Sequence, residues 1–396
     1  MQYPEYVAKI IDRLESCGFE AYIVGGSVRD ALIGKEPYDF DVTTSALPAD
    51  TLKVFEDLRT IPTGLKHGTV TVISSGKPIE VTTFRIDGEY TDSRHPDSVA
   101  FTDDITADLS RRDFTVNAMA YNQKRGLIDP FGGQSDLRAR IIRAVGDPEK
   151  RFREDALRIM RAFRFSAQLG FDIEENTLNA ARALSEGLGN IARERISVEF
   201  LKLICSQEPS RALGLMADND ILRYVLGEYT PSTRVCDALS RARASEHVRL
   251  GILLCECPED TARRILASLR LSNKLAANTI TVAKKLSSPI CGDEIAARRF
   301  IGGVGDLCDD VLNAARALEI LNEDFAKYVT LNLSKNICTT NSDLAVNGSH
   351  LVKIGIKGKA VGRTLDYLLE QVIEVPERND EDTLIAFAKQ FNNSER

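Results

Sequence analysis

The feature that most constrains this 396-residue chain is where its strand signals stop. Through about the first 130 residues, short apolar and β-branched runs alternate with helical stripes. From about Leu137 onward the period-two alternation nearly vanishes and helical periodicity takes over. A chain patterned this way is expected to fold as an α+β head followed by an all-helical remainder. Residues 3–18 predict an amphipathic helix with Tyr6, Val7, Ile10, Ile11 and Leu14 on one stripe. Ala21–Val24 predicts a short strand, Gly25-Gly26 a turn, and 27–33 a helix that stops at Gly34. Residues 39–43, 68–74 and 79–85 predict further strands, and 89–97 a polar loop. Beyond them, 147–169, 175–185 and 193–205 read as helices.

Composition removes several classes of function. Hydrophobic residues make up 43% of the chain and charged residues 28%, as in a folded, soluble protein. No apolar run approaches the roughly 18 residues that a membrane helix needs, and the N-terminus alternates charged with apolar residues, unlike a signal peptide. Eight cysteines are scattered without a C-x-x-C pair, which argues against zinc and for free thiols in a cytoplasmic protein. The net charge of −7 gives no global sign of nucleic-acid binding. Locally the balance reverses: residues 138–164 hold nine Lys/Arg against four Asp/Glu.

The first chemistry lies in YIVGGSVRDALIG and DFDVTT. A strand running through Gly25-Gly26 into a helix exposes backbone N–H groups that suit phosphate, and Arg29 sits one turn in. Asp39 and Asp41, two apart on a predicted strand, point to one face while Phe40 points to the other. Two such carboxylates repel each other unless a cation lies between them, and their hard oxygens suit Mg²⁺. Two ions held there can activate a 3′-hydroxyl and stabilise a leaving pyrophosphate. An isolated D-x-D is more often a solvated strand end. What weighs against that here is the glycine turn, 13 residues upstream of Asp39, a distance that fits one helix and a loop. Glu80, in IEVTTF, is a candidate third carboxylate, with an exposed strand residue as an equal alternative. His67, beside a glycine turn, reads as structural or as a substrate contact. Arg112 with Asp113 pairs a guanidinium fork suited to phosphate with a carboxylate that can accept from a ribose hydroxyl, although a capped element with exposed charges accounts for RRDFTVNAMA as well.

Taken together, VGGSVRDALIG, DFDVTTSALP, LKHGTV, EVTTFRIDGEY, RRDFTVNAMA, DPFGGQSDL and EDALRIMRAFRF occur in the order expected of bacterial CCA-adding enzymes. The chain thus resembles that branch of the tRNA nucleotidyltransferase and poly(A) polymerase family, densely over residues 20–200 and again at DLAVNGSHLVKIGIKGKAVGRTLDYLL. The resemblance implies a polymerase-beta-like nucleotidyltransferase head with a mixed sheet at 1–137. It further implies a helical neck at 138–205, a body at 206–325 and a tRNA-binding tail at 326–396. Asp39 and Asp41 match the family's metal-binding pair, Gly26 and Arg29 its triphosphate positions, and Arg111-Arg112-Asp113 its ribose- and phosphate-holding motif, with Asn117 as a support. The implied partners are tRNA, CTP and ATP. An A-adding enzyme, a poly(A) polymerase and an inactive RNA-binding module are the alternatives.

Base choice without a template needs its own residues. In the predicted helix 154–165, Asp155, Arg158, Arg161 and Arg164 follow at i+3 steps, so neighbours share a face. A solvated i,i+3 salt bridge there is worth only about 0.2–0.5 kcal/mol. A carboxylate accepting from an exocyclic amine, with a guanidinium donating to the ring nitrogen, satisfies both cytosine and adenine. Guanine and uracil present the reverse pattern and leave buried groups unpaired. The resemblance assigns this role to Asp155 and Arg158, further nucleotide contacts to Arg161 and Arg164, and an ion-pair scaffold to Arg195 and Glu199. It also links the loop at 87–101 to the change from C to A. In the tail, 356–363 is basic and glycine-punctuated, opens a helix, and suits tRNA phosphates.

Overall fold

Val7, Ile10, Ile11 and Leu14 are all essentially inaccessible on the first helix, α1 (Glu5–Ser16). Each such side chain stabilises the fold by roughly 1.5–3 kcal/mol on leaving water, so the predicted stripe becomes the face that covers the sheet. The computed structural model describes residues 1–88 and 99–394. Its elements continue with β1 (Ala21–Val24), α2 (Gly26–Leu32), β2 (Asp41–Thr44), α3 (Pro48–Val54), β3 (Thr60–Gly64), β4 (Thr69–Ser74) and β5 (Lys77–Thr83). There follow β6 (Arg85–Asp87), β7 (Val99–Phe101), α4 (Ile105–Ser110), β8 (Ala120–Asn122), β9 (Gly126–Ile128) and α5 (Gly133–Ala139). Seven strands form one mixed sheet in the order β3-β4-β5-β2-β1-β8-β9, in which β2 and β5 are parallel and the other neighbours antiparallel. Ile23, Val42, Val70, Val72, Ile79 and Val81 from its central strands are buried.

The strands depart from the sequence expectation at several points, and β7, β8 and β9 were not expected at all. β2 starts at Asp41, not at 39, and the predicted strand 79–85 ends at Thr83, with buried Phe84 leading into the separate hairpin of β6 and β7. β3, which carries Pro62 and Gly64, has no strand signature in sequence.

The helices that follow are α6 (Pro148–Glu154), α7 (Leu157–Leu169), α8 (Glu175–Ala183) and α9 (Arg193–Ile204). The expected single helix over 147–169 is interrupted at Asp155, whose backbone is extended (φ −147°, ψ 103°). The Asp155 carboxylate accepts the Leu157 N–H at 3.0 Å, so the side chain caps the new helix rather than extending the old one. The helical remainder also contains a two-residue parallel pair, Ile141–Ile142 with Asp172–Ile173.

The chain divides into two compact units, Met1–Thr230 with Ser268–Arg270, and Pro231–Ala267 with Leu271–Arg396. In the second, the helices Glu246–Leu254 and Asn273–Leu286 approach so closely that a Cβ at Gly251 would lie 2.5 Å from Val282. Val346, Leu351, Ile356, Leu368, Val372 and Leu384 gather into a separate apolar cluster around the helix Lys359–Glu374. Among the described residues no helix is long and apolar enough to cross a membrane. All eight cysteines are free.

Candidate active site

Sheet register assembles the acidic centre. Asp41 opens β2, and its Cα partners are Val24 at the end of β1 and Glu80 on the parallel β5. The first pairing sets Asp41 beside the strand end that leads into Gly25-Gly26. The second sets a carboxylate alongside it. Asp39 lies just ahead of the strand and is exposed, whereas Phe40 is buried edge-on against Tyr6, with ring centroids 6.4 Å apart. The Asp41 side chain is open to solvent at its edge yet crowded by protein. Burial, then Glu80 and Asp39, push its carboxyl up to about 6, against the pull of Arg112. That surplus of negative charge is what a cation would relieve. Among the described residues no three acidic, His or Cys side chains form a ready-made metal cage. This donor set fits an ion that takes most of its ligands from water and phosphate.

The glycine turn faces Arg112. Gly25 has φ +75° and ψ −130°, a conformation that side chains rarely adopt, and a Cβ there would lie 3.3 Å from Arg112 Nη1. Burial presses the Arg112 guanidinium below its ordinary value, opposed by Asp108 and Asp41. Arg29, on α2, donates to Asp30 (2.8 Å) and to Asn117 (2.7 Å), and its guanidinium lies 5.3 Å from the centroid of the Phe165 ring. Asn117 therefore holds the arginine that follows the glycine turn.

Asp113 is buried and fully engaged. One oxygen accepts from Arg161 Nε at 2.7 Å, and the other from the Phe114 N–H at 2.8 Å and Asn117 at 3.4 Å. Burial would raise its carboxyl, but Arg161 holds it below the usual carboxylate range. Any ribose hydroxyl that reaches Asp113 must share an oxygen with these donors.

The i+3 row that runs from Asp155 into α7 is not a salt-bridge ladder. Asp155 pairs across to Arg195 on α9 at 2.7 Å. Arg158 donates to Glu154 (2.6 Å) and to the carbonyls of Arg151 (3.1 Å) and Arg111 (2.9 Å). These bonds occupy three of its five N–H donors. Arg164 lies 2.5 Å from Glu199 without the alignment of a hydrogen bond. Each member of the row is thus oriented by a different partner.

Sequence reasoning missed Glu154 and Asp108. Glu154 holds Arg151 and Arg158, each at 2.6 Å, and its i−4 offset from Arg158 was a readable signal. Asp108, fully buried, accepts from both Arg111 and Arg112, and its i−3 and i−4 offsets from them were as readable as that of Glu154. The carbonyl of His67 accepts from Arg85. Most of the expected switching loop, 89–98, lies outside the described residues; its flanks pair as β6 and β7. The basic tail segment enters a helix at Lys359, as its pattern predicts.

Comparison with known proteins agrees with this architecture. A family model described as the poly A polymerase head domain matches residues 21–143. Models described as 'probable RNA and SrmB-binding site of polymerase A' and 'tRNA nucleotidyltransferase domain 2 putative' match 170–233 and 245–388. The CCA-adding enzyme of Leuconostoc mesenteroides is 36% identical over 98% of this chain and 96% of its own length. That of Pediococcus pentosaceus is 37% identical over 95% of each. The crystal structure of the Bacillus stearothermophilus CCA-adding enzyme in complex with CTP superposes with a TM-score of 0.86 at 33% identity, covering 100% of this chain and 99% of that one. The Thermotoga maritima CCA-adding enzyme complexed with tRNA shares the fold, with a TM-score of 0.69 at 22% identity. Nucleotidyltransferases of this family generally use a divalent metal. With relatives of this similarity matched along nearly its whole length, the chain belongs to the CCA-adding enzyme family of tRNA nucleotidyltransferases.

Proposed function

We propose that this chain acts in the cytoplasm to add CCA to the 3′ end of tRNA. The tRNA 3′-hydroxyl attacks the α-phosphate of CTP and then of ATP; a new phosphodiester bond forms and pyrophosphate leaves. The observation that carries the reading is the register that pairs Asp41 with Glu80 on one side and with the strand end before Gly25 on the other. Asp39 and Asp41 are the residues to hold Mg²⁺, with Glu80 adding negative charge beside them. When bound, the cation supplies charge neutralisation at the phosphates and acidifies the attacking hydroxyl.

The chain's own groups do the rest. Arg112, Arg29 and the backbone at Gly26 bind the triphosphate and orient it toward the acidic edge. Asp113 keeps Arg161 in place and can share an oxygen with the ribose. Asp155 accepts from the exocyclic amine of cytosine or adenine, and Arg158, with two donors left, gives one to the ring nitrogen. Arg161 and Arg164 line the same nucleotide path. The salt bridges of Asp155 with Arg195 and Arg158 with Glu154 favour this reading, because a template must be rigid to reject a reversed donor pattern.

The test is incorporation of labelled CTP and ATP into two tRNAs, one lacking CCA and one ending in CC. Products that stop at CCA on both are expected. Addition confined to A on the second tRNA would instead indicate an A-adding enzyme, and long A tails on unrelated RNAs a poly(A) polymerase. An absence of incorporation would leave a binding module. Retained incorporation by Asp41→Ala would defeat the metal assignment.

A further inference from the structure

Asp108 is a buried carboxylate to which the mechanism above gives no task. It lies on α4, its side chain inaccessible to solvent. Oδ1 accepts from Arg111 Nε at 3.0 Å, from Arg111 Nη2 at 2.9 Å and from the backbone N–H of Arg85 at 3.2 Å. Oδ2 accepts from Arg112 Nη2 at 3.3 Å and lies 3.5 Å from the Thr43 hydroxyl. One carboxylate therefore serves two consecutive guanidiniums, the start of β6 and the middle of β2. Burying such a group is costly, and a well-packed apolar residue often serves stability as well or better. Support of the fold alone is a weak reason for a charge at this place.

The state of Arg112 supplies a stronger one. Among the described residues its side chain makes one hydrogen bond, and that bond is to Asp108. Its Nε is buried with no partner, and its Nη1 points to the Gly25 turn, where even a methyl group would crowd it. Arg112 thus carries uncommitted donors aimed at the glycine turn, and a single carboxylate behind it sets the aim. Without Asp108, mutual repulsion between Arg111 and Arg112 and the cost of burial would turn the free guanidinium toward water.

We propose that Asp108 is a positioning residue for nucleotide binding: it anchors Arg112 from behind so that the free face of the guanidinium meets the triphosphate at the Gly25-Gly26 turn. This rests on the reading of Arg112 as a phosphate ligand. Loss of a charged hydrogen bond of this kind corresponds to about a tenfold change or more. Asp108→Asn is expected to raise KM for both CTP and ATP by that factor, while kcat falls by less than about threefold.

The deciding measurement is a double-mutant cycle with Arg112→Ala on the full-length chain, with melting curves to verify folding. In the Arg112→Ala background, Asp108→Asn should alter KM by less than about twofold, because the group it acts through is gone. If Asp108→Asn does not fold, Asp108→Glu is read in the same cycle. A folded variant with the wild-type KM overturns the proposal, and so does a cycle in which the two substitutions are additive. An Arg112→Ala enzyme with unchanged KM would instead refute the phosphate-binding role of Arg112 itself. Impaired Arg112→Ala beside an unimpaired Asp108 variant would refute the inference alone.

Discussion

Replacing Gly25 by Ala tests the geometry of the glycine turn proposed to bind the triphosphate in one step. Gly25 sits at φ +75° and ψ −130°, between the buried end of β1 and the first turn of α2. Its backbone is held on both sides, the N–H donating to the Met119 carbonyl at 3.2 Å and the carbonyl accepting from the Arg29 N–H at 3.1 Å. Relaxing to a negative φ would break these contacts, so an alanine must bear the strain, about 1–3 kcal/mol for a residue forced into a sparsely populated region. The added Cβ also lies 3.3 Å from Arg112 Nη1, so the guanidinium must give by a few tenths of an ångström. For a unit of this size that strain corresponds to a melting-temperature drop of about 2–4 °C per kcal/mol. Gly26→Ala is the control. Gly26 has an ordinary negative φ, and a Cβ there meets Arg29 Nη2 at 3.5 Å, an ordinary contact. Thermal melting of the two variants, with KM for CTP and ATP, should show Gly25→Ala losing both stability and nucleotide affinity while Gly26→Ala keeps its stability. Equal stability losses for the two, or an unchanged melting temperature for Gly25→Ala, would refute the reasoning.

Asp41→Asn should abolish nucleotide incorporation and yet raise the melting temperature of the chelator-treated protein, because it removes a carboxylate that Glu80 and Asp39 already repel; a variant no more stable than wild type in chelator would contradict this. Glu154→Gln should loosen Arg158 and lower discrimination of CTP against UTP by about tenfold, the effect of one charged hydrogen bond, read as misincorporation on tRNA lacking CCA; unchanged fidelity would remove Glu154 from base selection. The Asp113 carboxyl sits below its ordinary range, so its contribution to stability is complete above the unfolded value of about 3.9 and is lost as pH falls through the lower folded value. The stability gap between wild type and Asp113→Asn should therefore be wide at pH 7 and close below about pH 4, and a gap that widens with acid would reverse the sign of the argument.

What the sequence revealed was whatever one element could express by itself. The stripe on α1, the glycine turn and the opposition of Phe40 to Asp39 and Asp41 each depend on spacing within a few residues, and the structure keeps all three. The pairings between elements were harder to read. Glu80 stands beside Asp41 because β2 and β5 pair in parallel across 39 residues of chain, and no local pattern distinguishes that register from its neighbours. The break at Asp155 shows a different limit: helical periodicity continued through it, but the carboxylate satisfied the Leu157 N–H and so ended one helix and began another. That change matters for chemistry, because it frees Asp155 from its i+3 neighbour and gives it to Arg195, while Arg158 passes to Glu154. Asp108 was visible only in part: its i+3 and i+4 offsets to Arg111 and Arg112 are local, but its contacts with Thr43 of β2 and the start of β6 are not. The site is therefore a set of carboxylates and guanidiniums whose identities the sequence displays and whose partners only the sheet and the break between α6 and α7 assign. A substitution that leaves Asp39, Asp41, Arg112, Asp155 and Arg158 in place but shifts one of those partners, as Glu154→Gln and Asp108→Asn do, should for that reason impair selection or nucleotide binding while the fold persists.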